Sequence, residues 1–492
     1  MQPSSKAIPA VKPEAKAWFL KGIDCLRRGL KIEAARCFYQ AVKVQPDYSD
    51  AHYNLGLALQ ELKQLTEACA CYEQVVRLRP DQAAVWNNLG VARRQLGQWQ
   101  KSVESHLQAV RLEPGQTDYK VNLANALRAG EKVDEAIQIL QQALETNPRS
   151  TALWHTLGNA WREAGRLQES QGAFGRALQI EPQLVESHWD LSFTLLLQGD
   201  LLAGWEEYEW RWKRKDHPAR SFEMPSWQGE DLEGKRLLVY AEQGAGDTIQ
   251  FVRYVPLLVE RGARVILECP RSLVSLLQTL SGVEEVIAKG EASPVADVHC
   301  ALLSLPRLFR TTLDTIPAKV PYLRARTGGA RLPEPARTVG RRSLRVGLVW
   351  AGNPEHQNDA RRSISPEFLR PWLVNEETVF YSLQPQPKAD DLVTDLAGLI
   401  GDYADTAALL SQLDLIISVD TSVAHLAGAL GHPVWLLLPH APDWRWLAQR
   451  SDSPWYPSMR IFRQPVAGDW SSVLKEVSEN LKRFEIKPAV QE

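Results

Sequence analysis

The stretch AHYNLGLALQELKQLTEACACYEQVVRLRP (51–80) decides the fold of the first part of the chain, because its pattern returns at 84–114. A small residue, a bulky residue sixteen positions later and a proline each recur every 34 residues. The small residues are Gly22, Gly56, Gly90, Ala124, Gly158 and Ser192; the bulky ones are Phe38, Tyr72, His106, Leu140, Phe174 and Tyr208; the prolines are Pro46, Pro80, Pro114, Pro148 and Pro182. The period predicts units of two short amphipathic helices.

Each of the three recurring residues has a structural role in such a unit. The small residue lets the first helix approach the second, the bulky one fills the space between them, and proline ends the second helix. Because one unit cannot bury its apolar face alone, the units must stack. The pattern resembles the tetratricopeptide repeat (TPR) family. It predicts an α-solenoid of six repeats over 15–216, after a disordered start at 1–14.

The inner face of this solenoid is expected to bind a protein or peptide. Asn54, Asn88 and Asn122 are 34 residues apart on successive first helices, so they form a ladder on one face. An asparagine side chain offers a donor and an acceptor to a peptide backbone. The ladder is therefore predicted to bind the acceptor, although asparagines that only satisfy local groups would give the same spacing.

The sixth unit ends in the unusually aromatic run LAGWEEYEWRWKRK (202–215). A terminal unit has to cover the end of the array, so we expect Ala203, Trp205, Tyr208, Trp210 and Trp212 to pack onto the next domain. A platform on which a carbohydrate stacks is the alternative.

Composition narrows the class of protein. The chain has 492 residues, which predicts several domains, and its formal net charge of −2 gives no reason to expect a nucleic-acid partner. No apolar run is long enough for a signal peptide or a membrane span. The six cysteines show no metal-type pairing, and Cys69 and Cys71 should point to different helix faces. We therefore expect buried free thiols and a cytoplasmic location.

From residue 217 onward, strands alternate with helices, which predicts parallel sheets. A first Rossmann-like lobe is expected over 217–325 and a second over 344–486, joined by an exposed Gly-, Pro- and Arg-rich linker at 326–343. The predicted strands are 236–242, 263–269, 284–288 and 296–300, then 344–351, 378–384, 414–420, 433–439 and 459–464; the predicted helices are 247–262, 272–280, 365–373, 405–413 and 421–430. Ligands in such doubly wound sheets bind where strands end.

The first segment at a strand end is YAEQGAGDTIQF (240–251), where a strand runs into Gly244 and Gly246 and then into a helix. Glycines permit close approach of the backbone to a ligand, and a helix start attracts negative charge. Asp247 could take a proton from an acceptor hydroxyl, or could simply cap the helix. Gln243 could orient the substrate.

The second segment, VWAGNPEHQNDARRSIS (349–365), places polar side chains in a loop ahead of a helix. They are Asn353, His356, Arg361 and Arg362. Cationic groups there could neutralise a leaving diphosphate, or could be solvated loop charges.

In the third segment, ISVDTSVAHLAGALG (417–431), hydroxyl groups open a helix. Asp420, Thr421 and Ser422 with the free backbone N–H groups make an anion site, and His425 lies on the same face one turn later. A buried core histidine is the other interpretation. A fourth segment, 438–447, adds Asp443, Trp444 and Trp446, whose rings could cover a base or sugar or could pack in the core.

Together, GAGDTIQF, WAGNPEHQNDARRSIS and SVDTSVAHLAGALG resemble the bacterial heptosyltransferase-type glycosyltransferases of the two-lobed GT-B architecture. Combined with the repeats, the chain resembles bacterial TPR-containing glycosyltransferases. The resemblance implies metal-independent transfer from a nucleotide sugar, which is a substrate, so that no cofactor is expected. It implies that Asp247 is the general base. It places the nucleotide diphosphate at residues 420–422 and 425, with a basic residue, usually lysine, near Arg361 and Arg362.

Two other functions are compatible with these residues. A non-catalytic TPR scaffold with a nucleotide-sugar-binding module is the main alternative, because no single catalytic residue is unambiguous. A sugar epimerase on a similar two-lobed frame is the other, although it would need no repeats to recruit an acceptor.

Overall fold

The computed structural model describes residues 10–217, 220–292, 294–326, 328–334, 343–355, 358–373, 378–384 and 392–484. The chain divides into two compact units, 1–187 and 188–492, which are described separately. The sixth predicted repeat therefore belongs almost entirely to the second unit, whereas its sequence pattern continues to residue 216.

The first unit consists of antiparallel helix pairs with the predicted 34-residue period. A Cβ atom on Gly22 would lie 2.5 Å from the ring of Phe38, and one on Gly56 would lie 2.6 Å from the ring of Tyr72. The small residue thus makes room for the bulky one, and the predicted TPR fold is confirmed. The helices are α1 Pro13–Arg27, α2 Lys31–Val44, α3 Ser49–Glu61, α4 Leu65–Leu78, α5 Ala83–Gln95, α6 Trp99–Leu112, α7 Thr117–Ala129, α8 Val133–Thr146, α9 Thr151–Glu163 and α10 Leu167–Ile180, followed by α11 Val185–Gln198 across the unit boundary.

The turn between the two helices of each repeat has a positive φ at one position. These positions are Gly29, Lys63, Gly97, Glu131, Gly165 and Gly199, again 34 residues apart. The sequence shows this period only in part, because lysine and glutamate replace glycine in two repeats. In the repeats, Cys69 and Cys71 pack into different apolar clusters, as their spacing predicts.

The second unit begins with the end of the helical array. Helix α12, Leu201–Tyr208, continues into a 3₁₀ helix, Glu209–Lys213. The ring of Trp205 packs 5.8 Å from Phe251 and 5.2 Å from Trp444. Trp205 and Tyr208 are almost completely buried. The predicted packing of these aromatic residues onto the next domain is therefore what the structure shows.

The first lobe contains a four-stranded parallel sheet in the order β3-β2-β1-β4. The predicted single helix over 247–262 is wrong, because a 3₁₀ turn at Val252–Tyr254 interrupts it just before Pro256. The strands are β1 Arg236–Tyr240, β2 Arg264–Cys269, β3 Val283–Ala288 and β4 Val298–Ala301; the helices are α13 Ala245–Phe251, α14 Val255–Glu260, α15 Val274–Leu277 and α16 Leu305–Leu308.

The second lobe contains a six-stranded parallel sheet in the order β10-β9-β8-β5-β6-β7. Its edge strand β7 has only three residues and no apolar run, so the sequence does not predict it. The strands are β5 Leu344–Val349, β6 Thr378–Ser382, β7 Val393–Asp395, β8 Leu415–Val419, β9 Val434–Leu438 and β10 Met459–Arg463; the helices are α17 Asp359–Arg362, α18 Pro366–Leu373, α19 Tyr403–Leu410, α20 Ser422–Ala429 and α21 Trp470–Leu481.

The segment between the lobes is partly anchored. Gln412, after α19, donates to the carbonyl of Ala330 at 2.8 Å and accepts from the amide of Leu332 at 3.1 Å. Residues 327 and 335–342 of the predicted exposed linker lie outside the described residues. Its first part therefore contacts the second lobe.

A buried arginine ties the two lobes together. Arg253 of the first lobe donates to the carbonyl of Trp455 at 2.6 Å and to the hydroxyl of Tyr322 at 3.0 Å. Tyr322 in turn donates to the carbonyl of Ile249 in α13 at 3.0 Å. These bonds position α13 against the second lobe.

Candidate active site

Asp247 begins the candidate site at the end of β1. One of its oxygens, Oδ2, accepts from the amide of Gly244 at 3.0 Å, so the side chain does cap α13. The other oxygen, Oδ1, accepts from the guanidinium of Arg445 in the second lobe. The carboxylate nevertheless remains 20% exposed. A carboxylate has about four lone-pair positions, so Asp247 can still accept another hydrogen bond.

Arg445 is the central residue that the sequence analysis missed. Besides Asp247, it donates to Oε1 of Gln250 at 2.8 Å and to Oδ1 of Asp443 at 2.7 Å. Its guanidinium also lies 4.2 Å above the ring of Trp444. The only sequence signal for it is an arginine flanked by two tryptophans directly after a strand end. A cation in such a position was not distinguishable from a surface arginine by pattern alone.

The environment of Arg445 keeps its charge. Burial alone would lower the pKa of this guanidinium, but Asp443 and Asp247 together raise it above its ordinary value. A buried cation between two carboxylates of different lobes stabilises the closed arrangement as long as both partners stay ionised.

The two lobes meet where the first glycine loop faces α20. A Cβ atom on Gly246 would lie 3.1 Å from the ring of His425 and 3.5 Å from the Cα of Ser422. Glycine is thus needed for the close approach of the two backbones. The predicted segments at residues 244–247 and 420–425 are therefore brought together, although they are distant in sequence.

His425 is buried beneath this contact. Its Nδ1 lies 2.9 Å from the hydroxyl of Tyr456, and its ring stacks on Trp446 with 5.1 Å between centroids. Burial, with the nearby charges of Arg445 and Arg253, lowers the pKa of His425 well below its ordinary value. The imidazole is therefore neutral, and any effect of His425 on a ligand passes through the position of α20.

The hydroxyls at the start of α20 are partly exposed and linked to neighbouring elements. Thr421 Oγ1 lies 3.1 Å from the hydroxyl of Ser418, and Ser422 Oγ lies 2.8 Å from the hydroxyl of Tyr403. The first amides of a helix have no partner within the helix. The start of α20 consequently offers hydroxyl and amide donors at one place.

Arg362 joins two of the predicted segments. Its Nη1 donates to the backbone carbonyl of Asp420 at 2.9 Å, and its Nε donates to Oδ1 of Asp359 at 3.2 Å. Burial, followed by the charge of Asp443, raises the pKa of Asp420 to about 6 against the opposing effects of Trp446, Arg445 and Arg362. Asp420 therefore loses its charge under mildly acidic conditions.

The remaining residues of the second segment lie further from this cluster. Asn353 is exposed, and its Oδ1 accepts from the amide of Glu355 at 3.0 Å. Arg361 lies in the short helix α17 instead of the expected loop. His356 lies outside the described residues.

The end of the helical array contributes a second buried arginine. Arg211 is fully buried and donates to Glu242 at 2.7 Å, to Glu209 at 2.7 Å and to the hydroxyl of Ser304 at 2.8 Å. Burial raises the pKa of Glu242 to about 7, although Arg211 opposes the rise. This network holds the residue that precedes the glycine loop.

The same loop is bound by the repeat pattern itself. Tyr208, the bulky residue of the sixth unit, accepts a hydrogen bond at its hydroxyl from Nε2 of Gln243 at 2.7 Å. The side chain of Gln243 therefore has a structural partner.

The asparagine ladder of the first unit uses its amide nitrogens locally. Asn54 donates to the carbonyl of Asp50 at 2.8 Å, and Asn88 donates to the hydroxyl of Tyr53 at 3.2 Å. Asn122 donates to Oδ1 of Asn87 at 3.0 Å. The three side chains are half-buried, and their contacts with neighbouring groups leave them at least partly accessible.

Comparisons with known proteins agree with the architecture. Residues 47–113, and residues 19–70 with 121–184, match models of the tetratricopeptide repeat. Residues 365–446 match the model of glycosyltransferase family 9 (heptosyltransferase). This match includes the start of α20 and Arg445, whereas Asp247 lies outside it.

One curated relative shares the arrangement over a longer stretch. The protein FlbA of Caulobacter vibrioides is 28% identical over 337 residues, which covers 59% of this chain and 54% of FlbA. The chain thus spans about half the length of that relative. Among solved structures, a thermophilic TPR protein of Thermus thermophilus is 19% identical and covers 37% of this chain and 99% of its own, with a TM-score of 0.31. A TPR protein from Parabacteroides merdae is 15% identical and covers 40% and 78%, with a TM-score of 0.38.

Two further findings concern the described residues only. They contain no helix with the length and apolarity required to cross a membrane. In this same part of the chain, no three His, Cys, Asp or Glu side chains are grouped as metal ligands.

Proposed function

We propose that this chain, in which tetratricopeptide repeats precede a glycosyltransferase family 9 domain, transfers a sugar from a nucleotide-sugar donor to an acceptor hydroxyl in a GT-B arrangement. The observation that carries the proposal is the contact of Gly246 with Ser422 and His425. It brings a partly exposed carboxylate from one lobe next to a helix start from the other. A non-catalytic scaffold would not require this conjunction.

The proposed reaction needs three actions from the chain's own residues. Asp247 accepts the proton of the acceptor hydroxyl while its oxygen attacks the anomeric carbon. The bond from that carbon to the diphosphate breaks, and the diphosphate leaves with the bonding electron pair. The start of α20, Arg362 and Arg445 stabilise the negative charge that develops on it.

Two guanidinium groups close to the proposed diphosphate position support a metal-independent reaction. Arg362 and Arg445 provide the positive charge that a divalent cation would otherwise supply. Arg445 contacts both Asp247 and Asp443, so it also aligns the base while it waits for the diphosphate. Donor binding would then draw on a preformed cation without any proton uptake.

Asp420 gives this donor site a pH dependence. Since its pKa is raised to about 6, the carboxyl is mostly neutral at pH 5 and charged at pH 8. A neutral Asp420 repels a diphosphate less, so donor affinity should be higher on the acidic side.

The donor assignment can be tested by a thermal-shift screen with ADP-, UDP-, GDP- and TDP-sugars, followed by calorimetry with the donor that stabilises the chain most. Thr421→Ala should weaken binding of that donor about tenfold, the loss expected for a hydrogen bond to a charged group. Ser411→Ala is the matched control, since its hydroxyl bonds to the carbonyl of Ala408 away from this site. Equal affinity of the Thr421→Ala protein would contradict the assignment of the α20 start.

The repeats are proposed to recruit a protein or peptide acceptor. Removing residues 1–184 should leave slow hydrolysis of the donor intact but abolish transfer to a macromolecular acceptor, because the second unit retains both lobes and α12. Replacing Asn54, Asn88 and Asn122 by alanine in the full-length chain should reduce the same transfer without altering donor hydrolysis. Both reactions can be followed with a radiolabelled donor sugar. Full transfer by the truncated protein would show that the repeats do not recruit the acceptor.

The cytoplasm is the proposed location of this activity. All six cysteines are buried and unpaired, which suits a reducing compartment. The scaffold alternative predicts a different result in the same assays, namely donor binding with neither hydrolysis nor transfer.

A further inference from the structure

A cavity of about 440 Å³ lies between the end of the helical array and the first lobe. Three segments form its walls: residues 206–212 of the array, the loop at 220–228, and residues from β1, β4 and α16. The volume lies within the range of small-molecule sites. None of the residues predicted from the sequence to bind a substrate lines it, except that Trp212 belongs to the aromatic run.

The charged groups in the walls are largely neutralised by one another. Arg220 pairs with Glu268, and Glu209 accepts from Arg211 and from Ser304. Glu206 and Arg307, the remaining pair, are 4.0 Å apart. With carboxylates and guanidiniums present in equal measure, neither an anion nor a cation would find an unopposed partner. The walls therefore favour a neutral ligand.

Two buried polar atoms at the cavity nevertheless have no hydrogen-bond partner among the described residues. They are Nε of Arg307 and Nδ1 of His299. Burial and the charge of Arg220 lower the pKa of His299, so its ring is neutral. A buried polar atom without a partner costs free energy, and a ligand that supplies the missing bonds would recover it. An apolar ligand could not do so.

The aromatic rings supply the rest of the cavity surface. Trp212 and Tyr240 present apolar surface next to the amide of Gln228, which accepts from Arg307 at 3.2 Å. Hydroxyl groups both donate and accept, while the C–H groups of a sugar ring pack against aromatic side chains. A sugar satisfies these demands together, whereas a simple anion or an aliphatic chain satisfies only part of them.

We infer that this cavity binds a neutral sugar unit, and, resting on the proposed function, that this unit belongs to the acceptor. The connection to the transfer site is short. Glu209 and Ser304 line the cavity and hold Arg211, and Arg211 holds Glu242 immediately before the glycine loop of Asp247. A sugar in the cavity is thereby coupled to the position of the loop that carries the base.

The test is saturation-transfer NMR on the full-length chain with no donor present. The neutral probes are methyl α-glucoside, N-acetylglucosamine and maltose; glucose 6-phosphate and glucosamine serve as charged comparators. We expect transfer to at least one neutral probe and little to the charged ones. Gln228→Ala and Arg307→Met should each weaken the neutral signal about tenfold, as expected for a lost hydrogen bond. Gln228 is exposed, so its variant should fold normally.

The matched control is Trp210→Ala. This ring belongs to the same aromatic run but stacks on His188 at 3.5 Å and does not line the cavity. It should bind the neutral probes as the unaltered chain does. Absence of a signal with every neutral probe, preference for a charged probe, or signals unaffected by both variants would overturn the inference. The donor screen on the same samples separates this failure from that of the proposed function, because donor stabilisation does not involve the cavity.

Discussion

Replacing Asp247 by asparagine should reduce the rate of sugar transfer at least about a hundredfold, the lower range for loss of a general base. The amide oxygen of asparagine can still accept the hydrogen bond from Gly244, so the start of α13 should persist. Donor affinity should change little, because the proposed diphosphate site lies on α20. Single-turnover kinetics with saturating donor, alongside calorimetry, would separate the two effects.

Asp443→Asn is the matched control for this variant. Asp443 binds the same guanidinium at 2.7 Å, so both substitutions remove one carboxylate charge from Arg445. If Asp247 acts as the base, Asp443→Asn should retain most of the transfer rate. An equal loss in both variants would mean that the charge around Arg445, and not proton acceptance by Asp247, limits the reaction.

Replacing Arg445 by alanine should have the largest effect on the stability of the second unit. Removal of one partner from a buried ion pair costs about 3–5 kcal/mol, because the other charge is left without compensation. The side chains of Asp247 and Asp443 are 20% and 35% exposed, so water offsets part of this cost. We therefore expect a loss of about 2–3 kcal/mol. Chemical denaturation followed by tryptophan fluorescence would measure it.

Two further arginine variants sharpen this experiment. Arg445→Lys keeps the charge but cannot bind Asp247, Gln250 and Asp443 at once, so it should lose about half as much. Arg450→Ala removes an arginine whose partner, Asp452, is 63% exposed, and should cost less than about 1 kcal/mol. Equal effects of Arg445→Ala and Arg450→Ala would show that the pair between the lobes contributes little.

The repeats were predictable because their information is local. A small residue and a bulky one sixteen positions later meet within one helix pair, so the Gly22–Phe38 contact follows from spacing alone. The strands of the two sheets were predictable for a similar reason, since each is a short apolar run. The edge strand β7 lacks such a run, and the broken helix at Val252–Tyr254 depends on packing against the second lobe through Arg253.

The candidate site was predictable only in part. Glycines and hydroxyls at strand ends pointed to residues 244–247 and 420–422, because parallel strands present their carboxyl ends on one side of a sheet. The ladder of Asn54, Asn88 and Asn122 remains a prediction, as does the donor role of Asn353, Arg361 and Arg362. His356 is outside the described residues.

The amino-acid sequence by itself determined the elements of this protein: the helical repeats, the strands and the loops that follow them. These depend on side-chain periods within a few dozen residues. Only the tertiary structure decided which distant groups meet. The pairing of Asp247 with Arg445, the burial of His425 and the hold of Arg211 on Glu242 join residues between 31 and 198 positions apart. Their choice of partner is made by the packing of whole elements, for which no local pattern carries a signal.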